Sequence, residues 1–298
     1  FAYMNHFGLW SDDEIERLLE DISEKIFLGS SPSVKTESDP RKILYIVSYL
    51  TDTGGHIEVL RQWIKYFSRR GLSQSLIVTE INNTPTTAGF LKDFDSNVIN
   101  LPAGETYSER IKMLAKKVIE INPAHIVLLI NPQDVIAVTA LYHIKRAVKG
   151  KMIFIDHSDY SFWLGKPIVD TLVEYMPLGM AVSRKLRGYS GRTVLIPLTT
   201  DIIEKEKRGP EPVKTGTVSL SIGSCWKMSG DGEWDYFESI GKMLDDNPAH
   251  THMLLTTSKM PSGGLFDDHI KRLTGHWGED KKSRVRVLYD ISDPLPYY

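Results

Sequence analysis

Short, continuous apolar runs alternate along this chain with segments that carry a single apolar stripe, and that alternation constrains the fold more than any other feature. "KILYIVS" from Lys42, "SLIVT" from Ser75, "NVINL" from Asn97, "HIVLLI" from His125, "KMIFID" from Lys151, "GMAVS" from Gly179 and "VLIPL" from Val194 read as strands. Ile57, Leu60, Ile64 and Phe67 mark a helix between the first two, which Gly71 can end. Ile111, Leu114, Val118 and Ile119 mark another, and Val135, Val138 and Leu141 a third. A strand with no polar face must be covered on both sides, which a parallel sheet with helices on either face provides. Residues 41–203 are therefore expected to form a doubly wound α/β unit.

The same pattern restarts after a break. "EKEKRGPEPVKTG", residues 204–216, is charged and carries two prolines and two glycines, as a linker between domains does. From Thr217, "TVSLSIGS", "HMLLTT" and "RVRVLYD" read as strands, with helices over Trp234 to Leu244 and Phe266 to Leu273. Residues 217–298 thus form a second Rossmann-like unit, expected to be incomplete because the chain stops at Tyr298 after three strands. Residues 1–40 stand apart as a helical extension and linker. Ser11 and Glu14 have capping-box spacing, and Ile15, Leu18, Leu19, Ile22 and Ile26 form a stripe predicted to dock on the first unit or on a partner.

Composition excludes several classes of function. A net charge of -2 supplies no broad basic face for nucleic acid or for an anionic membrane. No apolar run approaches the about 18 residues of a membrane span. The single cysteine, Cys225, permits no internal disulfide and fits a cytoplasmic setting, which includes the inner face of a membrane. The sign-alternating runs "EKEK" and "EDKK" read as solvated loops.

In open parallel sheets ligands bind at the carboxyl ends of the strands, so the residues just after each strand are where chemistry is sought. "YLTDTGGH" follows the first strand, and Gly54 and Gly55 can bring backbone N–H groups to a ligand at the start of the next helix, or simply make a tight turn. No G-x-G-x-x-G, G-x-x-x-x-G-K-[ST] or G-x-S-x-G occurs, which argues against a dinucleotide fingerprint, a P-loop and a hydrolase elbow. "IDHSDY" places Asp156, His157 and Asp159 on a polar loop, and Asn131 ends another strand. A strand-end histidine can hydrogen-bond a sugar or phosphate oxygen, or stand solvated. No second His or Asp cluster at ligand spacing accompanies it, so no metal site is expected. In the second unit, Gly223 and Ser224 form a small-residue bend before Lys227, which can neutralise a diphosphate or simply stand solvated on a loop.

Taken together in this order, these pieces resemble a GT-B-fold glycosyltransferase, and glycosyltransferase family 4 in particular. "GGHIEVLRQW" is similar to the family's Gly-Gly helix start, "FIDHSD" to its strand ending in histidine, "MAVSRKLR" to its "AVS" strand and helix, and "VLIPLTTD" to its proline strand before the linker. "SIGSCWKMSGDGEWDYF" aligns with the stretch that carries the donor diphosphate's arginine and lysine, although the arginine is absent and Lys227 is left as the basic candidate. Leu198 and Thr199 replace the asparagine-glycine expected after the proline strand, and the acidic donor motif would lie beyond Tyr298. The resemblance implies two tandem Rossmann-like domains and a retaining transfer of sugar from a nucleotide-sugar donor to a glycan, lipid-linked or protein acceptor. It implies neither a resident cofactor nor a required metal. In that scheme His157 is catalytic, Gly54, Gly55, Gly223, Ser224 and Lys227 bind the donor, and Asp156, Asp159 and Asn131 lie on the acceptor side. A nucleotide-sugar epimerase and a non-catalytic sugar-nucleotide or partner-binding module are the alternatives.

Overall fold

A computed structural model describes residues 8–30, 37–50, 55–79, 98–102, 104–158, 161–198, 216–228, 235–259 and 264–291. The chain divides into two compact units, Phe1–Asp201 and Ile202–Tyr298. Most of the 204–216 segment, with the "EKEK" run, lies outside the described residues.

Unit 1 opens with α1 (Asp13–Ile26) and continues through β1 (Asp39–Val47), α2 (Gly55–Ser68), β2 (Ser73–Val78), β3 (Val98–Asn100), α3 (Tyr107–Ile121), β4 (Pro123–Leu129), α4 (Val135–Ala147), β5 (Lys151–Ile155), β6 (Thr171–Glu174), α5 (Pro177–Lys185) and β7 (Arg192–Leu195). Seven strands form one parallel sheet in the order β3-β2-β1-β4-β5-β6-β7. Because side chains alternate across a strand, Leu44 and Ile46 of β1 enter the core beneath α3 and α4, while Ile43, Tyr45 and Val47 enter the one beneath α2. Both cores are built from buried apolar side chains, which explains why these strands carry no polar face. The chain runs outward from β1 through β2 to β3 and then returns to β4 on the other side of β1. That reversal opens a crevice between the carboxyl ends of β1 and β4.

Two expectations for this unit need correction. "GMAVS" is not a strand. Pro177 stands at the first helical position, where its missing N–H costs nothing, and the segment runs as α5; the strand is the preceding "TLVE", β6, paired with β5 and β7. A small-residue apolar run is ambiguous between the two states, and the proline decides it.

The second correction concerns α1. Asp12, not Ser11, is its N-cap, accepting from the backbone N–H of Glu14 and Ile15, while the Ser11 hydroxyl donates to the Arg187 carbonyl. The helix docks on unit 1 through a polar contact as much as an apolar one. Glu16 accepts from the Tyr142 hydroxyl at 2.6 Å and from the backbone N–H of Gly165 at 2.7 Å, and Leu19 packs beside it. Burial raises the pKa of Glu16, and these hydrogen bonds offset part of that rise. Ile15 and Leu18, predicted to dock, are exposed.

Unit 2 holds β8 (Val218–Ile222), a 3₁₀ turn (Cys225–Met228), α6 (Tyr236–Asp246), β9 (Thr251–Thr256), α7 (Phe266–Leu273), α8 (Glu279–Ser283) and β10 (Val285–Tyr289). Its three strands are parallel in the order β10-β9-β8. Phe237, Leu244, Leu254, Phe266 and Trp277 make its core. "EDKK", expected as a loop, supplies α8: Glu279 and Asp280 lie at its amino end and Lys281 and Lys282 at its carboxyl end, which suits the helix dipole.

Candidate functional site

The crevice between β1 and β4 is framed by a polar network. Ser48, directly after β1, donates to Asp134 at 2.6 Å and accepts from the Asn131 backbone N–H at 2.7 Å. Thr79, directly after β2, donates to the same carboxylate, whose other oxygen caps α4 through the Ala137 N–H. Asp134 thus ties two strand ends to one helix start, and Ser48 links them to the end of β4. The Asn131 side chain accepts from the Gln133 N–H at 3.0 Å, which shapes the turn into α4. Arg110 donates to the Thr79 carbonyl, so that cation is also committed to the frame.

A second network fixes the loop after β5. The Asp156 carboxylate is buried, forms an ion pair with the buried Arg187 and accepts from the Ser158 N–H. Arg187 also donates to Ser183, at 2.9 Å, and to the Ser161 carbonyl, at 2.8 Å. Ser183 in turn donates to the buried Glu174 at the end of β6. Asp156 therefore holds the loop rather than facing solvent. Asp159 lies outside the described residues, as does Gly54.

Between these frames stand two imidazoles. His56, the second residue of α2, and His157, on the β5 loop, have ring centroids 5.6 Å apart and planes tilted by 30°, with Tyr49 edge-on to His56 at 5.0 Å. His56 Nε2 and His157 Nδ1 are buried without a hydrogen-bond partner. Burial lowers the pKa of His56 to about 4, with the neighbouring His157 adding to the shift. Burial also lowers the pKa of His157, offset in part by the Ile155 backbone. Both rings are therefore uncharged near neutral pH, and each can serve as a donor or an acceptor. The strand-end rule that selected His157 selects His56 equally, but the helical periodicity of "GGHIEVL" absorbed it. Gly55 begins α2, and a Cβ built there meets nothing within 4 Å. Packing of the protein itself does not demand glycine at that position.

Unit 1 also contains an apolar cavity of about 360 Å³, with Trp63 and Phe67 of α2, Tyr175 after β6 and Pro197 after β7 in its wall. Phe67, which the helical stripe assigned to the core, packs partly buried against it together with Trp63, and the two also line this space.

In unit 2 the predicted residues fall in one tight turn at the carboxyl end of β8. The Gly223 N–H donates to the Leu255 carbonyl, and a Cβ at Gly223 would come within 3.2 Å of Met228 Cε. The Ser224 carbonyl accepts from the Lys227 N–H at 3.0 Å, and Cys225 anchors the turn by donating from its N–H to Thr257 and from its thiol to the Lys259 carbonyl. Lys227 is exposed on this turn. Among the described residues, no group of three or more His, Cys, Asp or Glu side chains is arranged to hold a metal ion. No described helix is long and apolar enough to cross a membrane.

No protein-family profile matches the chain, and no curated protein matches it in sequence. Solved structures do match in fold. A glycosyltransferase from Rickettsia africae superimposes with a TM-score of 0.65 at 12% identity, over 87% of this chain and 71% of that one. The apo form of the lipopolysaccharide outer core galactosyltransferase WaaB gives 0.60 at 14% identity, over 86% and 70%. Anabaena HepE, in complex with UDP and glucose, gives 0.58 at 14% identity, over 84% and 70%. The two parallel α/β units, of seven strands and three, have the Rossmann-like architecture of the GT-B fold found in these glycosyltransferases.

Proposed function

We propose that this chain belongs to a glycosyltransferase that moves a sugar from a nucleotide-sugar donor to a glycan, lipid-linked or protein acceptor bound mainly by unit 1, with retention and without a resident metal. The observation that carries the reading is the imidazole pair. At the sheet's reversal point, between two polar networks, His56 and His157 are left with buried, unpartnered nitrogens. Unpartnered buried polar atoms are costly and uncommon in folded proteins, and they cluster where a ligand or a reaction gives them a role.

In this reading His157 contacts the reacting sugar as the leaving group develops charge, and Asp156 acts through Arg187 and the loop backbone to position it. Asn131 shapes the rim on the acceptor side, to which Asp159 is also assigned. Gly54 and Gly55 allow the donor to approach the start of α2. Gly223 and Ser224 place backbone groups, and Lys227 a cation, for the donor diphosphate, as helix starts and lysines do elsewhere. The likeness to a protein solved with UDP and glucose supports a nucleotide sugar as donor, and the likeness to transferases supports the reaction class. A family 4 assignment and a cytoplasmic location, free or at the inner face of a membrane, complete the proposal.

Incubation of the full-length protein with UDP-, GDP- and ADP-hexoses plus a panel of acceptors tests it. Nucleotide released only when acceptor is present supports transfer. Sugar interconversion without release indicates an epimerase, and binding without turnover indicates a non-catalytic module.

A further inference from the structure

α1 precedes the sheet and stands outside its strand-helix alternation, yet it grips the loop that carries His157 at both of that loop's anchors. At the far anchor, Glu16 reaches across 149 residues of chain: Oε1 accepts from the Gly165 N–H at 2.7 Å and from the Lys166 N–H at 3.1 Å, while Oε2 accepts from the Tyr142 hydroxyl of α4 at 2.6 Å. At the near anchor, the Ser11 hydroxyl donates to the Arg187 carbonyl at 3.0 Å, and the Arg187 guanidinium lies 5.7 Å from the centre of the Trp10 ring. That guanidinium holds Asp156 and the carbonyl of Ser158, the two neighbours of His157, and the carbonyl of Ser161. Between the anchors, Trp163 stacks on Phe154 of β5 with centroids 4.6 Å apart, and the Leu164 N–H donates to the Pro132 carbonyl in the turn from β4 into α4.

A buried carboxylate is a costly way to dock a helix. Glu16 is 2% exposed, and an apolar side chain of similar size would seat α1 beside Leu19 without desolvating a charge. The carboxylate supplies what an apolar group cannot, namely acceptors for two consecutive backbone N–H groups. Gly165 is buried and held at a φ of +96°, in the region that favours glycine, and its N–H would otherwise be left unpaired. Docking of the helix has other supports. Arg146 pairs with Glu20 and Glu24, and Phe27 stacks on His143 at 3.7 Å.

We propose that α1 is a brace on this loop and that Glu16 is a positioning residue, which acts through the Gly165 and Lys166 N–H groups to set where the loop presents His157. The inference rests on the reading of His157 as the group that contacts the reacting sugar. Glu16 acts on His157 only through the loop, so its loss displaces the imidazole and lowers turnover while donor affinity stays.

The test uses the full chain with ¹⁵N-labelled histidine at pH 7, with amide exchange of α1 followed in parallel. Glu16→Leu removes the acceptors and keeps an apolar contact. The ring resonances of His157 are expected to move, while those of His250 and His252 in unit 2 stay and α1 remains protected. Turnover of the nucleotide sugar should fall about tenfold with its KM within about twofold of wild type. Glu16→Gln, whose amide oxygen still accepts from Gly165 and Lys166, should restore the His157 resonances and bring turnover to within about threefold of wild type. Arg146→Ala removes the pairs with Glu20 and Glu24 without touching the loop, and should move neither. An unmoved His157 in the docked leucine variant, or an equal displacement in Arg146→Ala, overturns the brace. Should the leucine variant fail to fold, Glu16→Asp takes its place: its carboxylate is one methylene too short to hold Tyr142 and the loop together, so His157 should move, and a wild-type spectrum overturns the proposal. Displacement of His157 by Glu16→Leu in a protein that transfers sugar from no nucleotide donor removes the transferase reading and keeps the brace. Transfer at wild-type turnover in Glu16→Leu, with His157 unmoved, removes the brace and keeps the transferase.

Discussion

The two units carry extended polar networks at opposite ends of their strands. In unit 1 the networks around Asp134 and Asp156 close at the carboxyl ends, where they frame His56 and His157. In unit 2 the carboxyl end of β8 carries a short turn with an exposed lysine, and a part-buried chain lies at the amino ends: Thr217, His250, Ser219 and His252 connect in sequence by bonds of 2.5, 2.8 and 2.6 Å, and His252 reaches the Tyr236 hydroxyl at 2.7 Å. A polar network at the functional edge positions a site. One at the other edge holds the unit together. The difference predicts that disturbance of buried polar groups couples stability to site geometry in unit 1 and leaves them separate in unit 2.

The strongest test breaks the frame. Arg187→Ala strands the Asp156 carboxylate in a buried environment and removes the donors to Ser183 and to the Ser158 and Ser161 carbonyls; it should cost about 3–5 kcal/mol in chemical denaturation of unit 1. Lys227→Ala, at an exposed position, should change the stability of unit 2 by less than about 0.5 kcal/mol. Equal destabilisation by the two would erase the contrast. His157→Ala comes next and should lower turnover about 100-fold while leaving donor affinity near wild type, measured by steady-state kinetics with varied nucleotide sugar. Lys227→Ala should do the reverse, weakening donor binding about tenfold in calorimetry with little change in turnover. Unchanged donor affinity in the lysine variant and unchanged turnover in the histidine variant would together sink the assignment of both residues.

How much of this could be read from residues alone depends on how local the signal was. The parallel sheet was legible because strands such as "HIVLLI" have no polar face, a requirement each strand carries in its own sequence. "TLVE" was not, because its apolar core is only two residues long, between Thr171 and Glu174, and its pairing with β5 and β7 is a tertiary fact. His157 was legible from its strand-end position. The pairing with His56 was hidden, since 101 residues separate them and only the sheet order brings β1 and β5 to either side of β4. Likewise nothing local marks Asp156 as the partner of Arg187 rather than of a ligand.

The unit 2 network makes a pH prediction. Burial, and then the nearby His250, hold the pKa of His252 down to about 4 from an ordinary 6.5. The unfolded chain therefore binds a proton between those values that the folded unit does not. The stability His252 contributes is fully present above pH 6.5 and is lost as pH falls toward 4, by about 2 kcal/mol over that window. Urea denaturation of unit 2, followed by Trp277 fluorescence, should show that loss, and His252→Gln should flatten it. A flat profile in the wild-type protein would mean that the chain of hydroxyls and imidazoles accepts the proton without strain.

The smallest expected effect on stability is the most informative about the start of α2. Gly55 is helical, its φ is not in the left-handed region, and a Cβ there touches nothing within 4 Å. Gly55→Ala should therefore leave the fold intact and add up to about 0.5–1 kcal/mol, because alanine restricts the unfolded chain more than glycine does. If glycine serves only the turn, the alanine variant will bind and turn over as wild type. If it leaves room for a ligand's approach, the same stable variant will lose sugar or donor binding, and Gly55→Val will lose more. Thermal melts and binding assays on the two variants separate the cases, since a stable protein with impaired binding places the ligand against α2, whereas a stable and fully active Gly55→Val removes Gly55 from the site. At the second unit's edge the comparison inverts. A Cβ at Gly223 already presses on Met228 at 3.2 Å, so Gly223→Ala should perturb the turn and Lys227 together, and no variant there can report on ligand space alone.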